Sequence, residues 1–274
     1  MPLDQVDVDQ VDLDSAEKEM SFLEHLEELR WHLIRSVIAI AVIAIGVLAA
    51  GKPVFEHVIL APKYPQFFTY RLLCGLSDAV CMTPPKLELI TRELGEQFMV
   101  HLKVSFVLGL MVAFPYIFYE IWRFIRPGLL PKERRAARGV VVICSLLFMM
   151  GVLFGYYVIS PFAINFLGNY DMGATNAPTL SSFVNYMTMF TLPTGILFQL
   201  PVAVFILTKV GLLSVQFMRT YRRHAFVLIL ILSAFLTPPD VITQILIGCP
   251  LYFLYEGSIL IAKRVERRRE AELR

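Results

Sequence analysis

The sequence is poor in charge. Only 18% of its 274 residues are Asp, Glu, Lys or Arg, while 57% are hydrophobic, and the mean hydropathy is +0.63. Soluble domains carry about 25% charged and about 45–50% apolar residues, so the deficit points to a membrane protein. The usual enzyme signatures are missing too. There is no GxSxG, P-loop or GxGxxG. His57, His101 and His224 are scattered over separate segments, while His25 and His32 flank Glu28 at a spacing that makes no HExxH pair. The 4 cysteines form no CxxC and no Cys/His pair at zinc spacing. These absences exclude the common catalytic and metal classes, and no cofactor is expected. No basic segment followed by an apolar one opens the chain; MPLDQVDVDQVDLDSAEKE is acidic, so targeting falls to the first membrane span rather than a cleavable signal peptide. No internal repeat is visible and few charges lie within the apolar runs, which weakens the alternative of a polytopic secondary transporter for a small solute.

What is present is a series of long apolar runs with segregated charge. Residues 1–19 have no helical apolar period and are expected to form a disordered acidic tail. Ser21-Phe-Leu-Glu24 fits a capping box. Phe22, Leu26, Leu29 and Leu33 then recur on one face opposite Glu24, Glu27, Glu28 and Arg35, predicting an interfacial amphipathic helix that runs into the first span. Spans are expected at about Leu33–Ala50 (ended by Gly51-Lys52-Pro53), Leu94–Tyr119, Gly139–Ile159 (stopped by Pro161) and Phe183–Leu207. Two further runs, about Ala225–Leu236 and Val241–Ala262, flank Thr237-Pro238-Pro239-Asp240. The first falls short of the ~20 residues a span needs. A buried core helix is one reading; a hairpin of two short spanning helices is preferred, because it gives an even number of spans.

Charge places both termini on one side. Lys18, Arg30, Arg35, the loop cations Arg123, Arg126, Lys132, Arg134, Arg135 and Arg138, then Lys209, Arg219, Arg222, Arg223 and the tail from Lys263 all fall there. On the opposite side, Lys52, Lys63, Arg71, Lys86 and Arg92 are offset by Glu56, Asp78, Glu88, Glu93 and Glu96. The positive-inside rule makes the first side cytoplasmic. Glu120 to Arg138, EIWRFIRPGLLPKERRAAR, stands out within it for interleaved aromatics and the carboxylate Glu133. It reads as a topology signal or as a docking surface. The external loop of about residues 52–95 holds Cys74 and Cys81, where a disulfide is compatible with the compartment. Cys144 and Cys249 lie in apolar runs and are expected to pack as small hydrophobes. Lys103 is close enough to its span's outer end to snorkel outward, and Glu256 is expected to snorkel or pair. Gln199, beside Pro201, has the choice of bonding within the chain or to a partner helix.

Taken together, SFLEHLEELR, the LAPK loop, PYIFYEIWRFIRPGLLPKERR and LTPPDVITQ resemble the TatC family, the multispanning subunit of the twin-arginine protein translocase, over about residues 20–265. The resemblance implies an all-α protein of six transmembrane helices, the last two short, in a cupped, concave arrangement. Around it lie the acidic tail (1–19) and a basic tail (266–274). It implies a non-enzymatic receptor for twin-arginine signal peptides of folded cargo in the plasma (inner) membrane. Export would be driven by the proton-motive force, with TatA/TatB-type single-span partners, lipid contact and homo-oligomerisation, and no nucleic acid. On this resemblance Glu133, Glu28, Phe124, Arg30 and Leu29 serve signal-peptide binding, and Pro62 and Asp240 are external functional positions. Gln199 stands where many family members have glutamate at a partner-helix site. That departure keeps hydrogen bonding and removes any titrating role there.

Overall fold

The computed structural model describes residues 22–78, 81–125, 137–170, 173, 176–236 and 241–272. It is all-α. The only strand-like pairing among the described residues is one isolated bridge between Ile90 and Thr179. Among the described residues, five helical stretches are long and apolar enough to cross a membrane. The helices are α1 (Phe22–Val54), α2 (Phe68–Leu76), α3 (Glu96–Ile125), α4 (Ala137–Phe154), α5 (Ser160–Asn169), α6 (Leu180–Leu197), α7 (Leu200–Val210), α8 (Val215–Thr220), α9 (Arg222–Leu236) and α10 (Val241–Glu272).

Several boundaries differ from the sequence expectation for backbone reasons. The break expected at Gly51-Lys52-Pro53 is present, but helix resumes beyond it: Gly51 takes φ +32° and ψ −105°, outside the helical range, and Pro53 contributes no N–H to the ladder, so α1 is two helical pieces joined across a kink. A π-helical turn, Phe55–Ile59, carries the chain onward. Pro161 does not stop the third span. It sits in the first turn of α5, after the π-helical turn Gly155–Ile159, where a missing N–H removes no helical bond. The fourth apolar run is divided at Phe198 and Gln199, and Pro201 opens α7 at a position that tolerates proline. The last helix has 32 residues because it continues through the charged tail, so only α9, with 15, is short. At 1.5 Å per residue α9 rises about 22 Å, less than a ~30 Å hydrocarbon core. The expected capping box at Ser21 and the turn at 237–240 lie outside the described residues, as do the 1–19 tail and most of the Glu120–Arg138 loop.

α1 and α3 are paired antiparallel: His32 meets Glu120, Ala44 meets Gly109, and Gly51 faces His101. Gly109 makes this approach possible, since a Cβ there would lie 2.9 Å from that of Ala44. α3 also packs on α4 and α6. One core cluster joins Ile159, Ala163 and Phe190 to Ile229, Ile247 and Leu251, which seats α9 and α10 against α5 and α6. At the end of the bundle reached by α1 after its bend, Glu96 ties two helix starts together. Its carboxylate accepts the amide protons of Arg92 (2.7 Å) and Ser181 (2.9 Å). The same end carries a disulfide between Cys74 and Cys81. Cys144 is buried as expected; Cys249 instead lies exposed on α10.

Candidate functional site

The start of α1 and the end of α3 meet in a polar cluster set into apolar surroundings. His32 Nδ1 lies 2.5 Å from Glu120 Oε2, both side chains being buried, Glu120 to 2% exposure. Arg35 places a guanidinium nitrogen 4.0 Å from the same oxygen, and the Tyr116 hydroxyl also bonds Glu120. Ser36 Oγ donates to the His32 carbonyl at 2.9 Å, steadying that turn of α1. Glu120 is therefore fully engaged within the protein.

One helical turn further out the situation reverses. Glu28 precedes His32 by four residues and Phe124 follows Glu120 by four, so the His32–Glu120 pair sets both at the same end of the bundle. The Phe124 ring meets the His32 ring edge-on at 6.1 Å between centroids. Glu28 Oε2 is buried and has no hydrogen-bond partner among the described residues, and the same is true of Trp122 Nε1. A buried acceptor without a donor costs about 1–3 kcal/mol, and more when charged. An incoming guanidinium would remove that cost with two parallel N–H donors. Leu29 and Arg30 lie exposed on α1 beside Glu28. Of the positions expected to act together, the structure thus gathers Glu28, Phe124, Leu29 and Arg30. Glu133 and Asp240 lie outside the described residues.

The TatC family profile, described as Sec-independent protein translocase protein (TatC), matches residues 24–250. The chain belongs to the TatC family. It is 36% identical over 260 residues to the Sec-independent protein translocase protein TatC of Blattabacterium sp. subsp. Periplaneta americana, covering 92% of this chain and 98% of that one. It is 37% identical to the Helicobacter pylori (strain J99) protein of the same name, covering 88% of each. A crystal structure of the twin arginine translocase receptor TatC superposes with a TM-score of 0.68 at 31% identity, over 88% of this chain and 99% of the other. Membership in this family and the long apolar helices make the protein a multi-pass membrane component of a protein translocase, and the small-solute transporter alternative finds no support.

The other TatC-like positions fall elsewhere on the bundle. Pro62 is fully buried at the disulfide end, and its carbonyl lies 3.1 Å from the Tyr70 hydroxyl. Gln199 sits at the break between α6 and α7, where its side-chain amide donates to the Cys144 carbonyl at 3.1 Å. Its Oε1 is buried without a partner among the described residues. Close by, a cleft of about 450 Å³ is lined by Ile143 and Leu147 of α4, Pro201 and Phe205 of α7, and Phe253 and Gly257 of α10. Lys103 does not only reach outward: it bonds Asn185 Oδ1 on α6. Glu256 is paired, accepting from Arg222 at 2.7 Å. Sequence reasoning missed His32 and Glu120 as a unit. The available signal was one ionisable group at the matching end of each of two successive spans.

Proposed function

We propose that this chain is the twin-arginine signal-peptide receptor and core subunit of a Sec-independent translocase that exports folded proteins. The observation that carries the reading is the buried Glu28 carboxylate oxygen, without a partner among the described residues, one helical turn from the His32 ring that Phe124 meets edge-on. Glu28 and Glu133 are the acceptors for the two arginines of the signal peptide, with Phe124, Leu29 and Arg30 forming the surrounding surface. The guanidinium's planar fork matches a carboxylate bidentately, whereas a lysine ammonium does not, and this chemistry selects twin arginine.

The protein crosses the plasma membrane six times, α9 and the membrane part of α10 forming the last two spans. Both termini are cytoplasmic, as the segregation of Lys and Arg requires. Single-span TatA/TatB-type subunits lay their helices against the cleft near Gln199, whose Oε1, without a partner among the described residues, offers a hydrogen-bond acceptor to a polar group on the partner. Pro62 and Asp240 serve the external ends of the bundle. Several copies assemble in the receptor complex, and the proton-motive force drives transport without chemistry at this subunit.

The test is site-specific crosslinking of a twin-arginine signal peptide to this protein in inverted membrane vesicles. A twin-lysine peptide and the Glu133→Ala variant run alongside. Crosslinks to the 120–138 loop and to α1 near Glu28 that disappear with twin lysine and with Glu133→Ala are the expected result. Equal crosslinking by both peptides would overturn the receptor assignment and return the basic loop to a topology signal.

A further inference from the structure

Helix α2 and the Cys74–Cys81 loop that closes it carry no role from the family resemblance. The helix is held to the bundle on one side only. Tyr70 is buried there, its hydroxyl 3.1 Å from the Pro62 carbonyl and 3.3 Å from that of Pro161. Thr69 donates to the Tyr157 carbonyl, and Phe67, just before the helix, stacks on the Tyr157 ring at 5.4 Å.

The opposite side is apolar and largely exposed, with Phe68 meeting the Tyr157 ring edge-on at 5.9 Å at its start. Phe68, Leu72 and Leu76 are 62%, 51% and 70% exposed. Their i, i+4, i+8 spacing lines them along one stripe. Arg71 is exposed at the edge of that stripe. A cleft joins Phe68 to Met150, Leu153 and Phe154 of α4, and Met150 and Leu153 are themselves exposed on a helix that crosses the membrane. The α2 stripe is therefore continuous with a surface covered by lipid chains. The disulfide, made from a residue within α2, ties the helix end back to the following segment.

We propose that α2 is an interfacial anchor, lying in the membrane face opposite the start of α1, with Phe68, Leu72 and Leu76 among phospholipid acyl chains and the Arg71 guanidinium at the headgroup phosphates. An amphipathic helix with large apolar residues on one side and a cation at its edge has this chemistry, and the long Arg side chain lets the charge stay at the polar boundary while its stem lies along apolar surface. The inference rests on the membrane-spanning fold and is independent of the signal-peptide reading.

The test places the photoreactive residue p-benzoylphenylalanine at Phe68, Leu72 or Leu76, one at a time, in the full chain in phospholipid nanodiscs. Met150 serves as a lipid-facing reference and Glu88, exposed on the extended segment after the disulfide, as a water-facing one. After irradiation, mass spectrometry is expected to show the shift of one phospholipid on the probe-bearing peptide at 68, 72, 76 and 150, and none at 88. A lipid adduct at 150 without one at 68, 72 and 76 overturns the proposal, as does an adduct to a second protein chain at those three positions. Preparations are compared at equal thermal midpoint, so that loss of fold is not read as loss of lipid contact.

Discussion

Glu28 and Glu120 lie on neighbouring helices near the same end of the bundle, yet their surroundings give them opposite work. Glu120 is matched by His32, Tyr116 and Arg35, so it joins α1 to α3. Glu28 keeps a buried oxygen with no partner among the described residues, which suits the ligand-binding role proposed for it. Two outcomes follow at this scale. Glu28→Gln retains the shape and an acceptor while removing the charge. It is expected to weaken twin-arginine peptide binding by about 1.5–3 kcal/mol, roughly 10- to 100-fold, with an unchanged thermal midpoint; fluorescence anisotropy with a labelled peptide measures it. His32→Ala leaves Glu120 buried beside fewer partners and is expected to cost about 3–5 kcal/mol of stability. Replacing both with apolar residues of similar size, His32→Leu with Glu120→Met, is expected to recover most of that loss. Thermal unfolding in detergent distinguishes the two, and a double substitution no better than the single one would contradict the assigned pairing.

At the scale of elements, the close contact of α1 with α3 depends on the space left at Gly109. A Gly109→Val side chain would push against Ala44 and the Ile40 carbonyl. Bulk inserted into a packed interface costs about 1–3 kcal/mol. The separation of the helices is expected to displace Phe124 from His32 and lower peptide binding, although neither residue is touched. Cysteine crosslinking between the start of α1 and the end of α3 should fall in parallel; unchanged crosslinking would show that the interface absorbs the extra volume. The disulfide end has its own fastener in Tyr70. Tyr70→Phe keeps the ring and removes the hydroxyl that reaches the Pro62 and Pro161 carbonyls. A loss of about 1 kcal/mol is expected, read as a lower thermal midpoint with peptide binding unaffected, because the two ends of the bundle are separated by the membrane.

For the molecule as a whole, the expectation is topological. Tags at the two ends of the chain should both be removed by protease added to inverted membrane vesicles, and both survive in intact spheroplasts. Protection of one tag only would require an odd number of crossings and would exclude α9 as a span. The apolar runs, their order and the one-sided charge are local properties, and each was legible in the sequence because hydrophobicity and charge act on segments independently of their neighbours. So was the availability of Cys74 and Cys81 to each other, seven residues apart, while for Glu256 the sequence left snorkelling and pairing open and the structure pairs it with Arg222. Proline was read too strongly. Pro161 looked like a stop, but the π-helical turn before it lets helix continue, and that adjustment depends on packing such as Gly155 against Phe190 and Thr191. Local patterns in the chain were enough to establish a helical membrane protein and its family. That His32 and Glu120, 88 residues apart, join and leave a Glu28 oxygen without a partner among the described residues came only with the folded bundle, because pairing at that distance follows from the register of two packed helices, which no local pattern encodes.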